Sequence, residues 1–204
     1  MPNSKQQRDR RKHLFQVDKA TMFHPKLLVA MENEELFGDM LKKPIPEVYT
    51  FPLFSEKFCR DIVWFSEMVL DFKEDEVTYD LGVECRSLHT TLYRAFEIAV
   101  AGIIQNMYQL VLEGVLPATL VRLAEGQEQE PHYDPISDVT VRVPLTPTPG
   151  GGALEFVAPA WSTAKVPVGH VIIYPGKVTH RRKMTKATAG TTYSLMWQAQ
   201  ILSS

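Results

Sequence analysis

The spacing of apolar residues changes character near Pro117, where a rhythm of three to four gives way to short runs separated by Gly, Pro and Ser clusters. In the first part, Phe58, Ile62, Phe65 and Val69 recur at helical spacing, and Ser55 stands where an N-cap would open that helix. A second helix is predicted over residues 88–112, long and largely buried. Leu92, Phe96, Val100, Ile103, Ile104, Tyr108 and Val111 form its broad apolar face, while Ile98 falls off that face. Upstream, residues 48–54 read as a strand ending at a proline. Residues 1–45 read as an N-terminal extension with one or two short helices, closed by the two prolines of KKPIPEV. The acidic stretch FKEDEVTYDLGVEC has no periodicity and reads as a surface loop.

Beyond Pro117 the runs ATLVRLA, SDVTVRVPL, ALEFVA, HVIIYP and TTYSLMWQAQI are β-rich. Short strands after two helices predict an α+β, mainly β fold: a small sandwich or jelly roll with helices buttressing one sheet. Pro144 argues that its strand ends there or lies near an edge. Tyr193 and Trp197 fall on the face expected to pack against the helices. At 204 residues and 45% hydrophobic, the chain suits one core, with residues 46–204 as its domain.

Charge and cysteine content narrow the setting. With 22 Lys plus Arg against 24 Asp plus Glu, the net charge of -2 removes a global reason for a polyanionic partner. Nucleic acid is therefore unlikely as a partner. The cluster Arg8, Arg10, Arg11 and Lys12 reads first as a solvated tail, with a nuclear signal or nucleic-acid arm as the alternative. Cys59 and Cys85 lack CxxC spacing and read as reduced thiols. No secretory signal opens the sequence and no apolar run suits a membrane span, so a cytoplasmic or nuclear protein is expected. The pattern leaves the oligomeric state open.

The stretch EPHYDPISD carries the candidate chemistry. Residues i and i+2 on a strand share a face, so His132 and Asp134 can bind one ion together. A histidine arriving from another strand would complete a two-histidine, one-carboxylate triad, which leaves open positions on ferrous iron for a keto acid and dioxygen. In this order (TFPLFSEKFC, LVRLAEGQEQEPHYD, GGGALEF, PGKVTH, GTTYSLMW) the chain resembles the iron- and 2-oxoglutarate-dependent dioxygenases over roughly residues 48 to 200. Within them it is most similar to the procollagen lysyl hydroxylase and prolyl 4-hydroxylase branch. The resemblance implies a double-stranded β-helix core. It also implies Fe(II), 2-oxoglutarate and dioxygen as cofactor and cosubstrates, with ascorbate a candidate addition, and a peptidyl lysine or proline C–H bond as substrate. His132 and Asp134 match the first two iron ligands of that family.

Three positions depart from the family pattern. An ungapped match places Arg182 where the distal histidine would stand, with His180 two residues earlier; His180 is taken as third ligand, against a role in capping the turn. The 2-oxoglutarate-binding arginine falls at Thr192, which cannot pair with a carboxylate. Arg142, inward-facing on a count by twos, is the replacement, ahead of Lys177, Arg181, Arg182 and Lys186 and against a merely exposed arginine. A tyrosine of the family appears here as Leu123. Trp161 is placed equally as a residue at the pocket mouth or a lid over core; His24, His89 and His170 read as structural. Two functions stay open: an iron- and 2-oxoglutarate-dependent hydroxylase of a protein or peptide, and a catalytically degenerate binding or scaffold protein on the same fold. A nucleic-acid dioxygenase is the weakest option, since only the basic tail supports it.

Overall fold

A computed structural model describes residues 14–33, 35–70, 72, 76–177 and 179–202. The basic cluster at residues 8–12 lies outside them. Three short helices come first: α1 (Lys19–Met22), α2 (Pro25–Glu32) and α3 (Glu35–Met40). A hairpin follows, β1 (Lys42–Ile45) and β2 (Val48–Pro52), then helix α4 (Glu56–Val69), β3 (Thr78–Asp80), α5 (Leu81–Glu84), α6 (Arg86–Phe96) and α7 (Gly102–Tyr108). The remaining strands are β4 (Leu112–Val115), β5 (Thr119–Leu123), β6 (Gln129–His132), β7 (Val139–Pro144), β8 (Leu154–Phe156), β9 (Trp161–Ser162), β10 (His170–Pro175), β11 (Arg182–Met184) and β12 (Thr192–Ile201).

Two antiparallel sheets face each other. The larger runs β1-β2-β10-β7-β12-β5-β3, with β4 also on β12, and the smaller runs β6-β11-β8-β9. Alternation along the strands sorts their side chains between two cores. Val141, Val143, Val171, Ile173, Leu195 and Trp197 point outward from the large sheet into a cluster shared with helix residues Phe58, Ile62, Leu88, Leu92 and Phe96. The Phe96 and Trp197 ring centroids are 5.8 Å apart there, so the helices cover the outer face of the sheet. The opposite face meets the small sheet over Val121, Leu123, Leu154, Phe156, Ile172, Tyr174 and Met184. Of the candidate site residues, Asp134, Arg142, His180 and Arg182 are buried, whereas Lys177 and Arg181 are exposed.

Local chemistry explains the main boundaries. Ser55 Oγ accepts from Phe58 N at 3.1 Å and donates to Thr21 O at 2.6 Å, capping α4 while tying it to the first helix. The expected helix over residues 88–112 starts at Arg86, passes through a π-turn at Glu97–Ala101 and stops at Tyr108, where Gln109 turns left-handed (φ 54°). Leu112 is already in a strand on β12, because the sheet edge offers its backbone partners that a longer helix would forgo. The stretch read as an acidic loop contains β3 and α5; Asp80 caps α5 by accepting from Gly82 N at 2.7 Å, an element too short to show periodicity.

Gly152 and Gly169 carry close approaches. At φ +75° and +79°, a Cβ on either would collide with Thr192 and with the Phe54 carbonyl respectively. The first contact packs the Gly150–Gly152 turn against Thr192 at the start of β12.

Candidate functional site

The small sheet aligns the two critical strands. In the β6–β11 pairing His132 stands opposite Arg182, so the register puts an arginine across from the first histidine, where a triad would need a second one. His132 is half-buried at the end of β6 and its Nδ1 is 2.7 Å from the Glu130 carbonyl oxygen. Asp134 lies just beyond the strand and is buried. Both of its carboxylate oxygens are committed: Oδ1 to Arg182 Nη2, and Oδ2 to the Thr140 hydroxyl, which donates at 2.5 Å.

Arg182 is 1% exposed, and its guanidinium sits 5.2 Å from the centre of the Tyr174 ring. An ion pair at such depth is held by strong mutual attraction and by the added hydrogen bond on Asp134, because desolvating either charge alone costs several kcal/mol. Burial pushes the Tyr174 phenol up, and the Arg182 and Arg142 guanidiniums only partly oppose it.

His180 is buried but precedes β11 instead of standing in it. Its Nε2 lies 3.1 Å from the Pro46 carbonyl and its Nδ1 3.0 Å from the Thr179 hydroxyl, and its ring meets Phe156 edge-on at 5.9 Å. Two residues apart share a face by parity only if both lie in the strand; the strand starts at Arg182, so that parity does not extend to His180. Among the described residues, no three His, Cys, Asp or Glu side chains converge closely enough to hold a metal ion. The donor set of a ferrous triad is therefore incomplete, and the carboxylate that would contribute to it faces a fixed cation. Iron does not fit these residues as they stand.

Arg142 faces inward on β7, 5% exposed. Its Nε donates to Ser194 Oγ at 3.0 Å, and its Nη2 is 2.7 Å from Met184 Sδ, a poor acceptor. Burial lowers its proton affinity, and the neighbouring Arg182 charge adds to that. Thr192 opens β12 on the same face, its hydroxyl buried without a hydrogen-bond partner. The cavity shared by Arg142, Thr192 and Ser194 measures about 20 Å³, room for roughly one water and not for a five-carbon diacid. Arg142 is thus a buried, inward cation with no room beside it for such a diacid.

The other candidates have separate duties. Lys177 pairs with Asp138 at 2.5 Å, and Arg181 reaches the Pro131 carbonyl at 3.4 Å. Trp161 stacks on Phe156 at 5.7 Å between centroids. Leu123 belongs to the inner core. Sequence reasoning passed over Thr140, Ser194 and Met184; for Thr140 the available signal was its inward parity with Arg142 on β7.

No family model matches the chain, and no curated protein matches it by sequence. Solved structures do match. The viral collagen prolyl hydroxylase of Paramecium bursaria Chlorella virus-1, in its 2OG complex, superposes with a TM-score of 0.58 at 14% identity, over 77% of this chain and 97% of that one. A prolyl-4-hydroxylase of Pseudomonas putida gives 0.59 at 13% identity over 90% and 97%. A prolyl hydroxylase of Trichoplax adhaerens, in complex with a hypoxia inducible factor peptide fragment, gives 0.57 at 10% identity over 98% and 94%. At these identities the likeness is one of fold.

Proposed function

We propose that this chain, which has the fold of the 2OG-Fe(II) oxygenases, is a binding or scaffold protein in which an internal arginine–aspartate pair stands in place of an iron centre. The observation that supports this reading is the Arg182–Asp134 ion pair, set opposite His132 in the β6–β11 register. A guanidinium beside the carboxylate repels a metal dication and supplies the positive charge that the dication would otherwise bring. The filled space around Arg142 points the same way.

A second reading is supported by the fold of the neighbours, by the His132-x-Asp134 pair and by the peptide held in the Trichoplax structure. It is an iron- and 2-oxoglutarate-dependent hydroxylase of a peptidyl C–H bond, with His132, Asp134 and His180 on iron and Arg142 on the cosubstrate. It requires His180 to leave the Pro46 carbonyl and Arg182 to leave Asp134.

Thermal unfolding with Mn(II), with and without 2-oxoglutarate, separates the two. A ligand at about a hundred times its dissociation constant adds roughly 2.7 kcal/mol to the native state. Wild type is expected to show no metal-dependent rise, whereas Arg182→His, which places a histidine opposite His132, gains one. A rise in wild type that disappears in His132→Ala, together with succinate formed from 2-oxoglutarate with Fe(II), would overturn the scaffold reading.

A further inference from the structure

Two hollows of about 540 and 600 Å³ meet at Lys42, Thr50 and His170 and form one groove along the β1–β2 edge. The first lobe runs under α2 and α3 to Lys26, Val29 and Leu36. The second runs to Trp161, Lys165 and Pro167, beside the edge strand β9 of the small sheet. The groove thus lies where an edge of the large sheet faces an edge of the small one.

Its polar groups come from separate elements. Lys26 is on α2, Lys42 on β1 and Lys165 in the turn after β9, all exposed; Asp39 is the one carboxylate lining either lobe among the described residues. At the waist, Thr50 is 7% exposed and its hydroxyl has no hydrogen-bond partner. A buried hydroxyl left unpaired costs about 1–3 kcal/mol, so one retained on a groove wall is a donor awaiting an acceptor. Beside it, the His24 and His170 rings meet edge-on at 6.0 Å. His24 Nδ1 accepts from Lys26 N at 3.2 Å, which leaves the proton of the neutral ring on Nε2.

Lysines and a proline on an edge strand also block unwanted strand pairing, which accounts for Lys42, Lys43 and Pro44. It does not account for Lys26 or Lys165, nor for the orphan hydroxyl between them. Lys43 itself is drawn aside, its ammonium 5.3 Å from the centre of the Tyr49 ring.

We propose that this groove is a docking site for an acidic, amphipathic peptide segment of a partner protein. One carboxylate would sit at the waist on Lys42, Thr50 and His170, and apolar side chains would fill the two lobes. Charge complementarity selects the sign of the partner, and the aliphatic lining selects a peptide over a polynucleotide, which would want a run of stacking rings along the groove, whereas the two imidazoles meet edge-on at the waist and Trp161 stands apart from them. An extended segment would also run beside the open backbone of β1. The inference names a partner class for the scaffold reading yet rests on neither that reading nor the hydroxylase one, since none of His132, Asp134, Arg142, His180 and Arg182 lines the groove.

The test uses the full chain and a fluorescein-labelled twelve-residue peptide of glutamate and leucine, followed by anisotropy. A lysine–leucine peptide of the same length and a twelve-residue oligothymidylate serve as comparisons. The acidic peptide should bind at least about tenfold more tightly than the basic one, and Lys42→Glu and Lys165→Glu should each weaken it about fivefold or more. Thr50→Val should weaken binding while leaving the melting temperature equal or higher, because it removes an unpaired hydroxyl; a purely structural residue would not separate the two. The imidazole titration of His170 should also move upward when peptide is bound. Equal binding of the acidic and basic peptides, no loss in the two charge reversals, or tighter binding of the oligothymidylate in competition would overturn the proposal.

Discussion

Arg182 and Asp134 sit 1% and 8% exposed by side chain, too deep for either charge to be relieved by water. Arg182→Ala leaves the carboxylate buried with the Thr140 hydroxyl as its remaining partner, and a loss of about 3–5 kcal/mol in urea unfolding is expected. Replacing both, as Arg182→Met with Asp134→Leu, should restore most of that loss, since two apolar groups carry no desolvation cost. If the single variant were as stable as wild type, the pair would contribute nothing to the native state.

His170 makes a different kind of prediction. Burial first, then the charges of His24, Lys42 and Lys26, depress its pKa from 6.5 to about 4. The folded protein therefore binds this proton less readily than the unfolded chain, so stability is full above about 6.5 and falls as pH drops toward 4. Melting temperature measured across that window should decline with acid, and His170→Gln should flatten the slope. A His170 midpoint near 6.5 by NMR would show that the groove is neither dry nor positive. Cys59 is fully buried and its thiol is pushed up to about 12 by burial, so a thiol reagent should label native protein at Cys85 and reach Cys59 only on unfolding.

At the scale of elements, α4 and the β2–β10 connection are held by single residues. Ser55 both caps α4 and binds the Thr21 carbonyl. Ser55→Ala should cost about 1–2 kcal/mol, near the top of the range for an N-cap, because two bonds are lost. Gly169 is left-handed and packed on the Phe54 carbonyl, so Gly169→Ala meets both a strained φ and a clash and should destabilise by more than the cap variant. Chemical denaturation of the two variants side by side checks the order. The strands around these positions were legible as short β-rich runs, which β2 and β10 bury on both faces, but their pairing was not. The end of α7 and the small elements β3 and α5 were not, because one turn of helix or three residues of strand carry no period to read.

For the whole molecule, the helices and the large sheet share one hydrophobic cluster that runs from Leu14, Met22 and Phe23 through Phe58 and Phe96 to Trp197. Neither the helices nor the large sheet can expose that face without opening the cluster, and the small sheet, with Trp161, is joined to the large one through the second cluster of Val121, Leu154, Phe156 and Tyr174. Far-UV circular dichroism and tryptophan fluorescence should therefore unfold in one coincident transition, the three tryptophans at 64, 161 and 197 reporting together. Separate transitions would show that the N-terminal helices, or the small sheet bearing Trp161, come apart on their own. Among the described residues no helix is long and apolar enough to cross a membrane.

By itself the sequence determined the periods: a helical first part, short strands after Pro117, Ser55 as a cap, and a mainly β architecture on which His132 and Asp134 fall close together. Those are local consequences of side-chain spacing, and they need no knowledge of what lies across the sheet. Only the tertiary structure decided what His132 and Asp134 face. Whether His180 or Arg182 stands opposite His132 depends on where β11 begins, a register set by backbone pairing between strands about fifty residues apart. The inward turn of Arg142 onto Ser194 and Met184, and the closing of Gly152 onto Thr192, are likewise contacts between distant strands. Charge on the sequence can say that an arginine is near a motif; the pairing of strands says that it is bonded to the carboxylate.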